Sequence, residues 1–78
     1  MEFDWDELKN VSNNEKHKIS FERAGKLFED SRKLVFESVR IEFEEKRYIA
    51  VGKIFDVLYT AVYTKRNNKI RIISAPIS

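Results

Sequence analysis

Apolar and polar residues alternate most regularly between Asp56 and Ala75, DVLYTAVYTKRNNKIRIISA. Residues 57–64 and Lys69 to Ile73 each carry the two-residue period of a strand, with Lys65-Arg66-Asn67-Asn68 between them. Asn-Asn supplies the positive φ angles of a tight two-residue turn, so the stretch predicts a β-hairpin. Pairing Arg66 with Lys69 across the turn sets Thr64 opposite Arg71 and Tyr63 opposite Ile72. Arg66, Lys69 and Arg71 then share one face with Thr60 and Thr64, while Tyr59, Ala61, Tyr63, Ile70 and Ile72 take the other. Leu58, Val62 and Ile73 fall on the basic face and predict an exposed apolar patch there.

The N-terminal half carries a different period. Phe3 and Trp5 alternate with Glu2, Asp4 and Asp6, a short extended start. Asp6 is placed to cap a helix from about Glu7 to Lys16 or His17. Its stripe of Trp5, Leu8 and Val11 is short, so this helix depends on tertiary packing. Ser20 caps a second helix bearing Phe21, Ala24, Leu27 and Phe28 and ending near Asp30 or Ser31. Gly25 inside it costs about 1 kcal/mol relative to Ala, which predicts close packing of helix on sheet.

Lys33 to Glu37 and Arg47 to Lys53 read as strands, Ser38 to Glu45 as a long charged connection, and Gly52 as a strand end or bulge. Pro76 stops the last strand. The order α-α-β-β-β-β predicts an α+β fold, with two N-terminal helices on one face of a four-stranded antiparallel sheet.

Composition narrows the function classes. The 78 residues make one small domain with a narrow stability margin, globular at 42% hydrophobic and 36% charged. No stretch approaches the roughly 18 apolar residues of a membrane helix, and the acidic start is no signal peptide, so no membrane partner and a cytoplasmic location are expected. No cysteine and one histidine leave no basis for a zinc site, and no metal or other cofactor is expected. Residues 1–45 carry a net −4 and residues 46–78 a net +6. A basic hairpin on an acidic body points to RNA, DNA or an acidic protein as partner.

Several segments resemble one family. They are Phe3-Asp4-Trp5-Asp6, Lys9, Asn13, Lys16-His17, Ser20-Phe21-Glu22 with Ala24 and Phe28, Arg47 to Gly52, Val62-Tyr63-Thr64 with Arg66, and Ile70 to Ala75. Together they resemble the BrnT toxins and span nearly the whole chain. The resemblance implies a RelE-like fold and the toxin of a type II toxin–antitoxin pair, an endoribonuclease that arrests translation. It further implies neutralisation by a ribbon-helix-helix antitoxin, with operator DNA bound only through the toxin–antitoxin complex.

Two positions depart from the family pattern. Lys18 stands where the family usually has Gly, and a left-handed residue there costs Lys about 1 kcal/mol, so a different turn is expected. The family's Arg-rich helical tail has no counterpart in Ala75-Pro76-Ile77-Ser78. That gap favours an alternative, a shortened, non-catalytic module acting through a protein partner or in transcriptional autoregulation. A nucleic-acid-binding domain with no toxin role is the third reading.

Metal-independent cleavage in toxins of this kind uses the RNA's own 2′-hydroxyl as nucleophile. The protein must then supply a base, an acid and cations for the phosphorane-like state. Arg66 and Arg71, whose planar forks match phosphate, are the catalytic candidates, with Lys65, Arg66, Lys69 and Arg71 as the RNA-binding set. His17 is the acid–base candidate, although its place at a helix end also fits simple capping. Tyr59 and Tyr63 fall on the apolar hairpin face and read as core. Glu42, Glu44 and Glu45 read as a solvated loop. No phosphate loop, Ser-His-Asp set or metal-ligand spacing is present.

Overall fold

The computed structural model describes residues 2–42 and 45–76, with the side chains of residues 39–42 and 45 left aside. Strand β1 (Glu2–Trp5) leads into helix α1 (Glu7–His17) and the one-turn helix α2 (Phe21–Ala24), which tightens into a 3-10 helix over Gly25–Glu29. Strands β2 (Leu34–Glu42), β3 (Glu45–Ile54), β4 (Val57–Arg66) and β5 (Lys69–Ser74) follow. They form one five-stranded sheet in the order β1-β5-β4-β3-β2.

This corrects the four-stranded antiparallel sheet predicted from the sequence. The extended start is a fifth strand, and it pairs in parallel with β5, with Phe3 opposite Ile70 and Trp5 opposite Ile72. Parallel neighbours need a long crossover, which the helices and the β2-β3-β4 meander provide together. Residues 38–42 correct a second expectation, because they continue β2 where a loop was predicted. Ser38-Val39-Arg40-Ile41-Glu42 alternates polar with apolar residues, a strand period obscured by its charge. Phe43 and Glu44 lie outside the described residues, as do Ile77 and Ser78.

Both predicted helix caps form. The Leu8 N–H donates to Asp6 Oδ1 at 2.9 Å, and the Arg23 N–H donates to Ser20 Oγ at 3.2 Å. Lys18 takes the left-handed conformation (φ 59°, ψ 31°) and closes α1, so the turn keeps the geometry of a Gly cap despite its lysine. The second helix is shorter than expected as an α-helix, because its last five residues wind as 3-10.

The core lies on one face of the sheet. Ile19, Phe21, Ala24, Leu27 and Phe28 pack against Ala50, Ile54, Ala61, Tyr63, Ile70 and Ile72, and Phe3 and Trp5 extend the cluster. Gly52 is neither a strand end nor a bulge. It pairs with Tyr59 inside β3, and a Cβ there would stand 2.9 Å from the Leu27 carbonyl oxygen, so the 3-10 helix needs its bareness.

Helix α1 is held differently from the expectation. Leu8 is 82% exposed and Val11 50%, so the apolar stripe does not anchor it. Buried Asn13 does. Its Nδ2 donates to the carbonyls of Ile19 (3.1 Å) and Ala75 (3.0 Å), and its Oδ1 accepts the Ala75 N–H at 3.1 Å. Asn10 adds a further tie, accepting the Phe21 N–H at 2.7 Å. Among the described residues no helix is long and apolar enough to cross a membrane.

Candidate functional site

The hairpin turn forms as the sequence predicts, with Asn67 and Asn68 at φ 50° and 64°. Its register sets Arg66 opposite Lys69, Thr64 opposite Arg71 and Tyr63 opposite Ile72. By strand parity Arg66, Lys69 and Arg71 lie on the sheet face away from the core. Lys65 lies opposite Ile70 on the other face, where its Nζ stands 5.1 Å from the centre of the Tyr48 ring. The predicted RNA-binding set is therefore divided between two faces.

Strand β1 adds an acid beside two of these cations. Asp4 pairs with Arg71 and Glu2 with Lys69. The Arg71 Nη1 donates to Asp4 Oδ2 at 2.6 Å, while Lys69 Nζ is 4.0 Å from Glu2 Oε2. The Arg71 hydrogen bond holds the Asp4 carboxyl below the usual carboxylate range. Desolvation opposes that shift, and the Arg71 charge and the Trp5 N–H assist it. Sequence reasoning missed both acids because it left residues 2–5 out of the sheet. One guanidinium nitrogen is thus committed, and the remaining donors of Arg71 keep their capacity for phosphate.

His17 ends α1 and lines a groove of about 190 Å3 with Lys9, Ser12, Asn13, Lys16, Ile73 and Ser74. Ser74 and Lys69 are the two ends of β5, about 16 Å apart at roughly 3.3 Å per residue. His17 and the hairpin tip with Arg66 therefore do not meet at one phosphate. The groove gathers Lys9 and Lys16 beside His17; both lysines carry the family resemblance, but neither was named from the sequence as a site residue. The signal was present: Lys9, Ser12, Asn13 and Lys16 recur at intervals of three and four and share a helix face.

Tyr59 and Tyr63 take the packing roles expected of them. Tyr63 is 4% exposed, lies edge-on to Phe28 with centroids 5.1 Å apart, and stacks on Tyr48 at 5.5 Å. Burial first, and then Tyr48, pushes its hydroxyl above the usual tyrosine value, which unsuits it to proton transfer near neutrality. Glu42, Glu44 and Glu45 fall outside the described side chains. Among the described residues no three His, Asp or Glu side chains converge as metal ligands.

No curated protein matches the sequence. A family model does: the ribonuclease toxin BrnT of type II toxin–antitoxin systems, matched over residues 5–76. The match covers α1, both halves of the second helical segment, β2 to β5 and every residue of the groove. Such a family entails an RNA substrate and an antitoxin partner. On this span of agreement, the chain belongs to the BrnT family of ribonuclease toxins.

Proposed function

We propose that the chain is an endoribonuclease that cleaves RNA without a metal ion, with its chemistry in the groove between α1 and the end of β5. The observation that carries this reading is the meeting of Lys9, Lys16 and His17 with the hydroxyls of Ser12 and Ser74. An imidazole is suited to general-base work near neutrality. It takes the proton of a ribose 2′-hydroxyl as that oxygen attacks the adjacent phosphorus. The lysines balance the charge that grows on the non-bridging oxygens. The 5′-oxygen leaves with a proton from solvent at the open side, so the products end in a 2′,3′-cyclic phosphate and a 5′-hydroxyl.

Arg66, Lys69 and Arg71 hold the RNA backbone along β5 on this reading, and Asp4 fixes the direction of the Arg71 fork. Lys65, on the core side, takes no part. A ribbon-helix-helix antitoxin neutralises the toxin in the cytoplasm, and operator DNA is bound only through their complex.

Incubation of the purified chain with a defined RNA tests the reading. Cleavage should persist in EDTA, and His17→Ala should slow it about a hundredfold or more. Arg71→Ala should weaken RNA binding, with Arg71→Lys recovering only part. Loss of cleavage in EDTA, or full activity of His17→Ala alongside an inert Arg71→Ala, would return the chemistry to the hairpin or to a bound metal.

One observation favours a second reading. The acids of β1 lie beside Lys69 and Arg71, which fits a non-catalytic binding module whose cations serve the sheet. On that reading the chain cleaves no RNA and does not slow growth, Arg71→Ala shifts only melting temperature, and Arg71→Lys is silent.

A further inference from the structure

The sheet face away from the core carries an apolar surface three strands wide. Cross-strand pairing sets Leu34 beside Val51 and Phe36 beside Ile49 on β2 and β3, and Ile49 beside Val62 on β3 and β4. Leu58 lies opposite Lys53 at one end. Leu34 is 65% exposed, Phe36 51% and Leu58 46%, and none of the six apolar residues belongs to the core cluster. Only Leu58 and Val62 of this surface were legible in the sequence, and Ile73 lines the His17 groove instead.

A hydrophobic sheet face is ordinarily buried against another element. Its borders here carry cations with acids beside them: Asp30 and Asp56 line one end with Lys53 and Leu58, and Asp4 pairs with Arg71 at the other. Lys53 stands at one end, and Arg47, Arg66 and Arg71 follow on the same face at the other, by strand parity. Cations still outnumber acids around it, so an acidic partner suits the face better than a second copy carrying the same excess. The distance from β2 to β4, about 10 Å across two strand spacings, matches the width of an α-helix. A strand added at the free edge of β2 would leave Val51, Leu58 and Val62 open.

We propose that this face is the docking surface for an amphipathic helix with acidic flanks, supplied by the antitoxin that membership in the family entails. The apolar stripe of the helix lies over Phe36, Ile49 and Val62, and its carboxylates meet Lys53 at one end and Arg47 and Arg71 at the other. The inference rests on the toxin–antitoxin reading for its partner. It also gives that partner a route to inhibition, because a carboxylate on Arg71 competes with RNA phosphate.

The test uses the full chain and a labelled synthetic helix of roughly 20 residues, with leucines at i, i+3, i+4 and i+7 and glutamates on the flanks. A second peptide carries lysines in place of the glutamates. Fluorescence anisotropy should show the acidic peptide binding about tenfold or more tightly than the basic one, with added salt narrowing the gap. Phe36→Glu and Leu58→Glu should each weaken binding about tenfold or more with an unchanged circular dichroism spectrum. Leu34→Ser, at the sheet edge, gives the same direction should either of those fail to fold. His17→Ala should bind normally, so a failure of the cleavage reading leaves this result standing. Equal binding of both peptides, absence of binding, or indifference to all three face variants overturns the proposal. A dimer of the chain alone that Phe36→Glu dissociates also overturns it, in favour of a second copy.

Discussion

Lys18 holds a backbone conformation that costs an L side chain about 1–2 kcal/mol. Its N–H still makes the last helical bond, to the Asn14 carbonyl at 2.9 Å, and the left-handed turn then carries the chain off α1 toward buried Ile19. Lys18→Gly should therefore raise stability by about 0.5–1 kcal/mol, seen as a urea midpoint that rises without a change in slope. Phe55 and Asp56 form a comparable left-handed pair (φ 49° and 67°) in the turn from β3 to β4. The sequence marked Asn67-Asn68 as such a turn because Asn tolerates positive φ. It did not mark Phe55, where the two-residue span between paired Ile54 and Val57 imposes the conformation on a residue that disfavours it.

At the scale of elements, the two glycines separate two kinds of packing. A Cβ on Gly25 would lie 3.6 Å from the Phe3 ring, ordinary contact, while one on Gly52 would press on a backbone oxygen. Gly25→Ala should be neutral or stabilising by up to about 1 kcal/mol, and Gly52→Ala should cost about 1–3 kcal/mol, as paired thermal melts would show. The hairpin was legible in its register from the turn to Tyr63 and Ile72 because turn chemistry and alternation are local signals, whereas the register shift beyond, which pairs Val62 with Ser74, was not. Strand β1 was not, since its four residues acquire a partner only from the other end of the chain. The continuation of β2 was obscured by Arg40 and Glu42, whose charges outweighed the alternation around them. His17 was legible as a chemical group, but its distance from Arg66 depends on where α1 docks. That docking is set by buried Asn13, which hydrophobic patterning does not detect.

Across the whole molecule, two ties join residues far apart in sequence. The Asn13 side chain satisfies Ala75 on both its N–H and carbonyl, so Asn13→Ala strands buried polar groups and should cost about 2–3 kcal/mol by denaturant titration. The other tie is the pair of Asp4 and Arg71. The pKa of Asp4 is lowered in the folded chain, as is that of Asp30, which accepts the Lys53 and Arg32 N–H groups. Each therefore contributes stability in full above the unfolded carboxylate pKa near 3.9, and that contribution is lost as pH falls through the depressed folded value. Urea midpoints should fall on acidification from pH 5 toward pH 2, and Asp4→Asn should reduce that fall while lowering stability at pH 7.

The parallel pairing of β1 with β5 also sets an order of events during synthesis. Glu2 meets Lys69, so the first strand made waits for the last before it can enter the sheet. Closing so long a segment is slow compared with forming the adjacent hairpins. The groove beside His17 shares this dependence, since its walls come from α1 and from Ile73 and Ser74. A ribosome adding about 5–20 residues per second exposes β2, β3 and β4 before either is complete. A nascent chain would then present its apolar meander before the groove beside His17 exists, so the two surfaces become available to other molecules at different times.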